Sequence, residues 1–146
     1  QLTGYPLRQL YQNLGKLPAT SITVILEACF SGQSHSGHLS VRTSGISIQP
    51  KMPNVPDRLT VISAGAANQV ASWEQDESQS LFTKYFLKAM SGDGDRKPYG
   101  DGDGKVSLKE LKRYLDKEMT YLARRYYGRD QNAQITVDGR QVHVTN

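Results

Sequence analysis

Two short runs of branched aliphatic residues constrain this chain most: Ile22-Thr23-Val24-Ile25-Leu26 and Leu59-Thr60-Val61-Ile62-Ser63-Ala64. Side chains branched at Cβ suit a pleated strand better than a helix. Near-continuous apolar character is the pattern of a strand covered on both faces, as in a parallel sheet. Helical patterns flank both runs, so the chain predicts an α/β fold with a mostly parallel central sheet between helices. Residues 6–16 place Leu7, Leu10, Tyr11 and Leu14 at helical spacing, with Pro6 at the first turn and Gly15 at the end. Ser80 caps a second helix through Leu81, Phe82, Tyr85, Phe86, Ala89 and Met90, which stops before Gly92. Ser107 and Glu110 form a capping box for a long third helix carrying Leu108, Leu111, Leu115, Met119, Leu122 and Tyr126 and ending at Gly128. The tail Ile135–Val144 alternates around Asp138-Gly139, the pattern of a hairpin.

Two segments break this regularity. Residues 33–57 hold five Ser, two Gly and three Pro with little periodicity, a long loop of the kind that is functional or cleavable. Residues 92–106 form a loop rich in Gly and Asp.

The length, 146 residues, suits a single domain over 1–146 with a sizeable core. With 37% hydrophobic and 22% charged residues the chain is neither a disordered polymer nor a membrane protein, and its longest aliphatic run falls far short of a bilayer span. The first residues lack a signal-peptide pattern and an initiator Met, which suggests a processed or trimmed piece. One cysteine, Cys29, excludes an internal disulfide and points to a reducing, cytoplasmic setting. The net charge of +4 and a pI of about 9.2 raise the question of nucleic acid or anionic lipid. Yet Lys105, Lys109, Lys112, Arg113, Lys117, Arg124, Arg125 and Arg129 are interleaved with Glu110, Asp116 and Glu118. That reads as a solvated helix face, so neither nucleic acid nor membrane is an expected partner.

Cys29 follows the first strand directly, at the carboxyl edge of the sheet, where ligands and catalytic groups collect in open α/β folds. A thiol there, followed by Phe30-Ser31-Gly32, can face a cleft with backbone N–H groups beside it to hold an oxyanion. A buried structural cysteine is the other reading, and position alone does not decide between them.

The segment Val24-Ile25-Leu26-Glu27-Ala28-Cys29-Phe30-Ser31-Gly32 resembles the strand-to-nucleophile segment of the caspase-like cysteine peptidases, which include orthocaspases and metacaspases. Further along, Val61-Ile62-Ser63-Ala64, Gln69, Ser72-Trp73-Glu74 and Ser80-Leu81-Phe82-Thr83 resemble, in order and spacing, the family's next strand, substrate-binding loop and following helix. The resemblance implies the caspase-like three-layer fold, with this chain supplying its later strands and helices. It also implies a thiol endopeptidase acting on proteins or peptides, with Cys29 as nucleophile, its amide lining the oxyanion hole, and Glu27, Ser63, Gln69, Trp73 and Glu74 around the substrate. The family's catalytic His lies about 50 residues before the Cys, further than the 28 residues present here, and neither His35, His38 nor His143 matches its position. The His general base is therefore expected on an upstream segment of the same domain.

Relatives that cut after Asp use Gln and Arg where this chain has Glu27 and Glu74. Two carboxylates would repel an acidic side chain and attract Arg or Lys, so cleavage after a basic residue is expected. Arg42, Lys51 and Arg58, in or beside the long loop, then become candidate self-cleavage sites.

No cofactor is required for such chemistry, but the acidic loop invites a calcium reading. With Glu110 as the last position of an EF-hand loop, Asp101 and Asp103 fall at ligand positions, while the first position falls on Tyr99. Asp95 or Asp93 would have to stand in from across an insertion, and Glu110 is equally explained by the capping box. One Cys and scattered His make no zinc set. Besides the peptidase, the residues leave room for an inactive caspase-like interaction module and for a calcium-binding module with an incidental thiol.

Overall fold

A computed structural model describes residues 5–28, 33–34, 37–38, 52–76 and 78–144. Helix α1 (Leu7–Leu14) leads into strand β1 (Ile22–Leu26), followed by a two-residue antiparallel pair, β2 (Gln33–Ser34) and β3 (Gly37–His38). Strand β4 (Leu59–Ser63) comes next, then helices α2 (Leu81–Met90), α3 (Leu108–Lys117) and α4 (Met119–Tyr127). The chain closes with the hairpin β5 (Gln134–Val137) and β6 (Arg140–Gln141).

The two aliphatic runs pair in parallel, Ile22 beside Leu59 through Leu26 beside Ser63. The hairpin adds antiparallel strands in the order β1-β4-β5-β6, so the described strands form a mixed sheet with helices on it, as an α/β fold has. Its turn places Asp138 and Gly139 at positive φ, 48° and 74°, as a tight two-residue hairpin requires. Alternation along the strands sorts side chains to two faces. Leu59 and Val61 meet Tyr11 of α1, with Ile22, Val24 and Leu26 packed around them. Ile62, Ala64 and Ile135 turn the other way into the larger core with Leu81, Phe82, Leu111, Leu115 and Met119. The result is three layers: α1, the sheet, and α2 to α4. Each fully buried aliphatic or aromatic side chain here contributes about 1.5 to 3 kcal/mol.

Three expectations need correcting. Strand β1 is not covered on both faces: Thr23 and Ile25 are exposed, Ile25 at 49%. The helical layer packs over β4 and β5, and β1 is an edge strand among those described. The long third helix is two helices, divided at Glu118, whose backbone (φ −89°, ψ −57°) sits between them. There the Tyr99 hydroxyl donates to the Glu118 carboxylate, and two residues on the Thr120 hydroxyl donates 2.7 Å to the Gln131 carbonyl, so the break is tied to other segments. The acidic loop is not irregular throughout, since Asp93–Asp95 form a 3-10 turn. The capping box at Ser107, the Ser80 cap and the left-handed Gly128 terminus form as expected. Among the described residues no helix is long and apolar enough to cross a membrane.

Candidate functional site

The parallel strands deliver their carboxyl ends side by side, fixed there by a 3.0 Å bond from the Ala64 amide to the Leu26 carbonyl. Glu27 and Ala28 leave the end of β1 and line a cavity of about 440 Å³ with Trp73, Gln79, Ser80 and Thr83. The Thr83 hydroxyl, on the first turn of α2, donates to the Glu27 carboxylate and aims it. Cys29 lies outside the described residues, as do Arg42 and Lys51.

The far wall of the cavity is a short antiparallel turn. Trp73 and Ser80 form a β-bridge, flanked by Leu81 N–H to Ser72 O and Glu74 N–H to Gln79 O, both 2.9 Å. Ser80 also accepts the Thr83 amide at 3.0 Å, so the residue that starts α2 shapes the pocket. Trp73 stays 38% exposed and lines the cavity.

The other expected substrate residues are placed differently. Glu74 turns to Lys84, 3.0 Å away, and does not line the cavity. The Glu74 carboxylate in return holds the Lys84 ammonium above its usual range. One carboxylate, Glu27, therefore faces the pocket where two were expected. Ser63 is buried on the opposite sheet face, its hydroxyl donating 3.1 Å to the Gly65 carbonyl, and it borders a separate cavity of about 340 Å³ with Tyr11 and Thr136. Gln69 is structural in its contacts: its side-chain oxygen accepts the Ala66 and Asn132 amides at 3.0 and 2.8 Å. Arg58 is fastened to the fold. Its guanidinium donates to Ala19 O and Gly15 O at 3.2 and 2.8 Å, and its amide, at φ 67°, donates 2.6 Å to Asp138. The bond after it enters Leu59, which is fully buried, a poor position for a protease to unfold and cut.

One residue that sequence reasoning passed over is Gln131, fully buried, whose amide joins Ser72 to Ala64. An isolated Gln in a polar tail gives no local signal of such a role.

In the acidic loop, Asp95, Asp101 and Asp103 bring carboxylate oxygens within 4.8 Å of one another, so Asp95 does reach across the insertion. Its carboxylate accepts the Gly102, Asp103 and Gly104 amides at 2.9, 3.1 and 2.9 Å. Gly102 and Gly104 turn those amides inward with φ of 80° and 86°, a conformation glycine adopts without strain. Glu110 stands apart from the cluster, accepting the Asp101 and Ser107 amides at 3.0 and 2.8 Å. These bonds, the Ser107 amide foremost, hold its carboxyl below the ordinary value. Tyr99, at the loop's far side, packs edge-on against Tyr114 at 4.8 Å, and its bond to Glu118, with burial, pushes its hydroxyl up to about 12.

Comparison with curated proteins and with solved structures returned no match. A family model described as the caspase domain does match, over residues 5–141, nearly the whole chain. With its strand order and pocket at the carboxyl edge already in view, that match assigns the chain to the caspase-domain family of peptidases.

Proposed function

We propose that this chain is the nucleophile-bearing part of a cysteine endopeptidase that cleaves after Arg or Lys. The observation that carries the reading is Glu27, a carboxylate held by Thr83 in a cavity two residues ahead of Cys29. A guanidinium or ammonium entering there meets an acceptor on one side and the Trp73 ring on another, and both favour a cation. An aspartate side chain would meet like charge. Basic specificity rests on Glu27 alone, since Glu74 is engaged by Lys84.

In the proposed reaction a His on an upstream segment takes the Cys29 proton, and the thiolate attacks the peptide carbonyl. Backbone N–H groups at Cys29 hold the oxyanion, the protonated His gives its proton to the departing amine, and water then hydrolyses the thioester. The upstream segment has a physical place to dock. Strand β1 has an open edge among the described strands and an uncovered Ile25, which an added strand and covering layer would satisfy. Self-processing, if the pocket is basic-specific, falls to Arg42 and Lys51 rather than to the tethered Arg58.

The test is hydrolysis of matched peptides with Arg, Lys or Asp before the scissile bond, by the chain joined to its upstream segment. Cleavage after Arg or Lys that disappears in Cys29→Ala supports the proposal. Cleavage after Asp overturns the role of Glu27, and no cleavage at all favours an inactive interaction module. A second reading attaches to the acidic loop, where the convergence of Asp95, Asp101 and Asp103 offers oxygen ligands of the type calcium takes. Calorimetric titration with calcium decides it: binding lost in Asp101→Asn supports a site, and no heat leaves Asp95 as the loop's internal cap.

A further inference from the structure

We propose that Gln131 is a positioning residue for the substrate pocket, and that residues 127–132 act as a strap holding the pocket's outer wall against the sheet. The inference rests on the peptidase reading above and extends it to a segment some 60 residues from the pocket loop in sequence.

The wall of the pocket hangs on the connection from Ala64 to Trp73, which leaves the sheet at β4 and does not rejoin it. Within it the Ala66 and Ser72 amides find side chains as acceptors, Gln69 and Gln131 respectively. Gln131 is 0% exposed and uses both ends of its amide. Its oxygen accepts the Ser72 amide at 2.7 Å, and its nitrogen donates 3.1 Å to the Ala64 carbonyl. One side chain thus ties the strand end to the residue before Trp73, and only a side chain with both an acceptor and a donor does so. The main chain of Gln131 is itself anchored by Thr120, 3% exposed on α4.

The strap grips at two further points. The Tyr127 hydroxyl donates 2.7 Å to the Trp73 carbonyl, and the Arg129 guanidinium lies 3.3 Å from the Ser72 hydroxyl. Asn132 closes the set by donating its amide to Gln69. Ser72 passes the constraint on, because its carbonyl accepts the Leu81 amide at the start of α2, next to Ser80 and Thr83. Releasing the strap leaves Glu27 at the end of β1, still bonded to Thr83, but lets the Trp73 wall drift from it. The consequence is a change in substrate binding, with the reacting groups untouched.

Trp73 is the chain's single tryptophan, so its fluorescence reports on the wall directly. The experiment compares the active protein with Gln131→Met and Tyr127→Phe, reading KM and kcat on an Arg peptide, acrylamide quenching of Trp73, and the melting transition. The expected result is a KM raised about three- to tenfold with kcat little changed in Tyr127→Phe, the effect of losing one hydrogen bond. Gln131→Met should exceed it, with Trp73 quenching rising in the same order. Unchanged KM and unchanged quenching in a folded Gln131→Met overturn the proposal, as does a fall in kcat alone, which marks a merely structural loss. Should Gln131→Met not fold, Tyr127→Phe decides by the same readings. If the parent cleaves no basic peptide, the peptidase reading fails, and quenching alone then decides whether the strap holds the wall.

Discussion

Residues 64–76 and residues 92–106 are both long connections that follow a regular element, yet they are held by opposite means. The acidic loop is organised from within, Asp95 accepting three amides seven to nine residues away and Glu110 closing its own capping box. Apart from the bonds between Gln69 and Ala66, the pocket loop is organised from outside, by Gln131, Tyr127 and Asn132 reaching back from the end of α4. A loop capped by its own carboxylates can form as a local unit. One strapped by a distant segment reaches its shape only when the whole sheet and helical layer have assembled, so its geometry, and any pocket it walls, depends on global packing.

The sharpest way to break that contrast is to cut each device once. Gln131→Leu leaves the Ser72 amide and Ala64 carbonyl buried without partners, at a cost of about 1 to 3 kcal/mol each. We expect the whole transition to move, by about 10 °C in the melting temperature for a chain of this size, as scanning calorimetry would register. Asp95→Ala strips an acceptor from three amides of which water can satisfy several. It should cost about 1 to 2 kcal/mol and raise hydrogen exchange only within residues 101–105. A global loss from Asp95→Ala equal to that from Gln131→Leu would erase the distinction between the two loops.

The same contrast explains what was legible in the sequence. Signals carried by a few neighbouring residues came through: the Ser80 cap, the Ser107 and Glu110 box, the Asp138-Gly139 turn, and the parallel pairing of the two aliphatic runs. Glu27 and Trp73 line one cavity, whereas the sequence had set Glu74 beside Glu27. What failed depended on partners far along the chain. Glu74 read as a pocket acid until Lys84, on the next helix, claimed it. Ile25 read as buried because apolar character does not say whether a covering layer reaches that strand. Gln131 gave no signal at all, since one amide between Asp130 and Asn132 looks like any polar tail.

Acid titration separates the loops by a smaller effect. The Glu110 carboxyl has its pKa lowered in the fold, first by the Ser107 amide, so the stability it lends is present above the ordinary carboxyl value of 4.5. It is lost as pH falls through the lower folded value. Asp101 and Ser107 amide protection should therefore decline together in that window, while Ser72, capped by the neutral Gln131 amide, should keep its protection until the chain unfolds. Parallel loss of all three amides would argue against an independently capped acidic loop.

The least perturbing probe is alkaline, and it reads the seam where the acidic loop meets the helical layer. Tyr99 and Tyr114 both ionise late, at about 12, Tyr99 chiefly through its bond to Glu118 and Tyr114 through burial. A phenol whose folded pKa is raised stabilises the fold fully below its unfolded value near 10, and that contribution disappears as pH climbs from 10 through 12. Burial also raises the Tyr11 and Tyr85 hydroxyls, so these four of the chain's eight tyrosines should lag in the tyrosinate absorbance, and Tyr99→Phe should remove one of the late group without moving Tyr114 far. If all eight ionise near 10 while the circular dichroism is still native, the Tyr99–Glu118 contact is not formed in solution. The acidic loop would then keep to the helices through its capping box, the Arg113 guanidinium on the Tyr99 carbonyl and the packing of Val106, one tie fewer, and its independence from the strapped pocket loop would be greater.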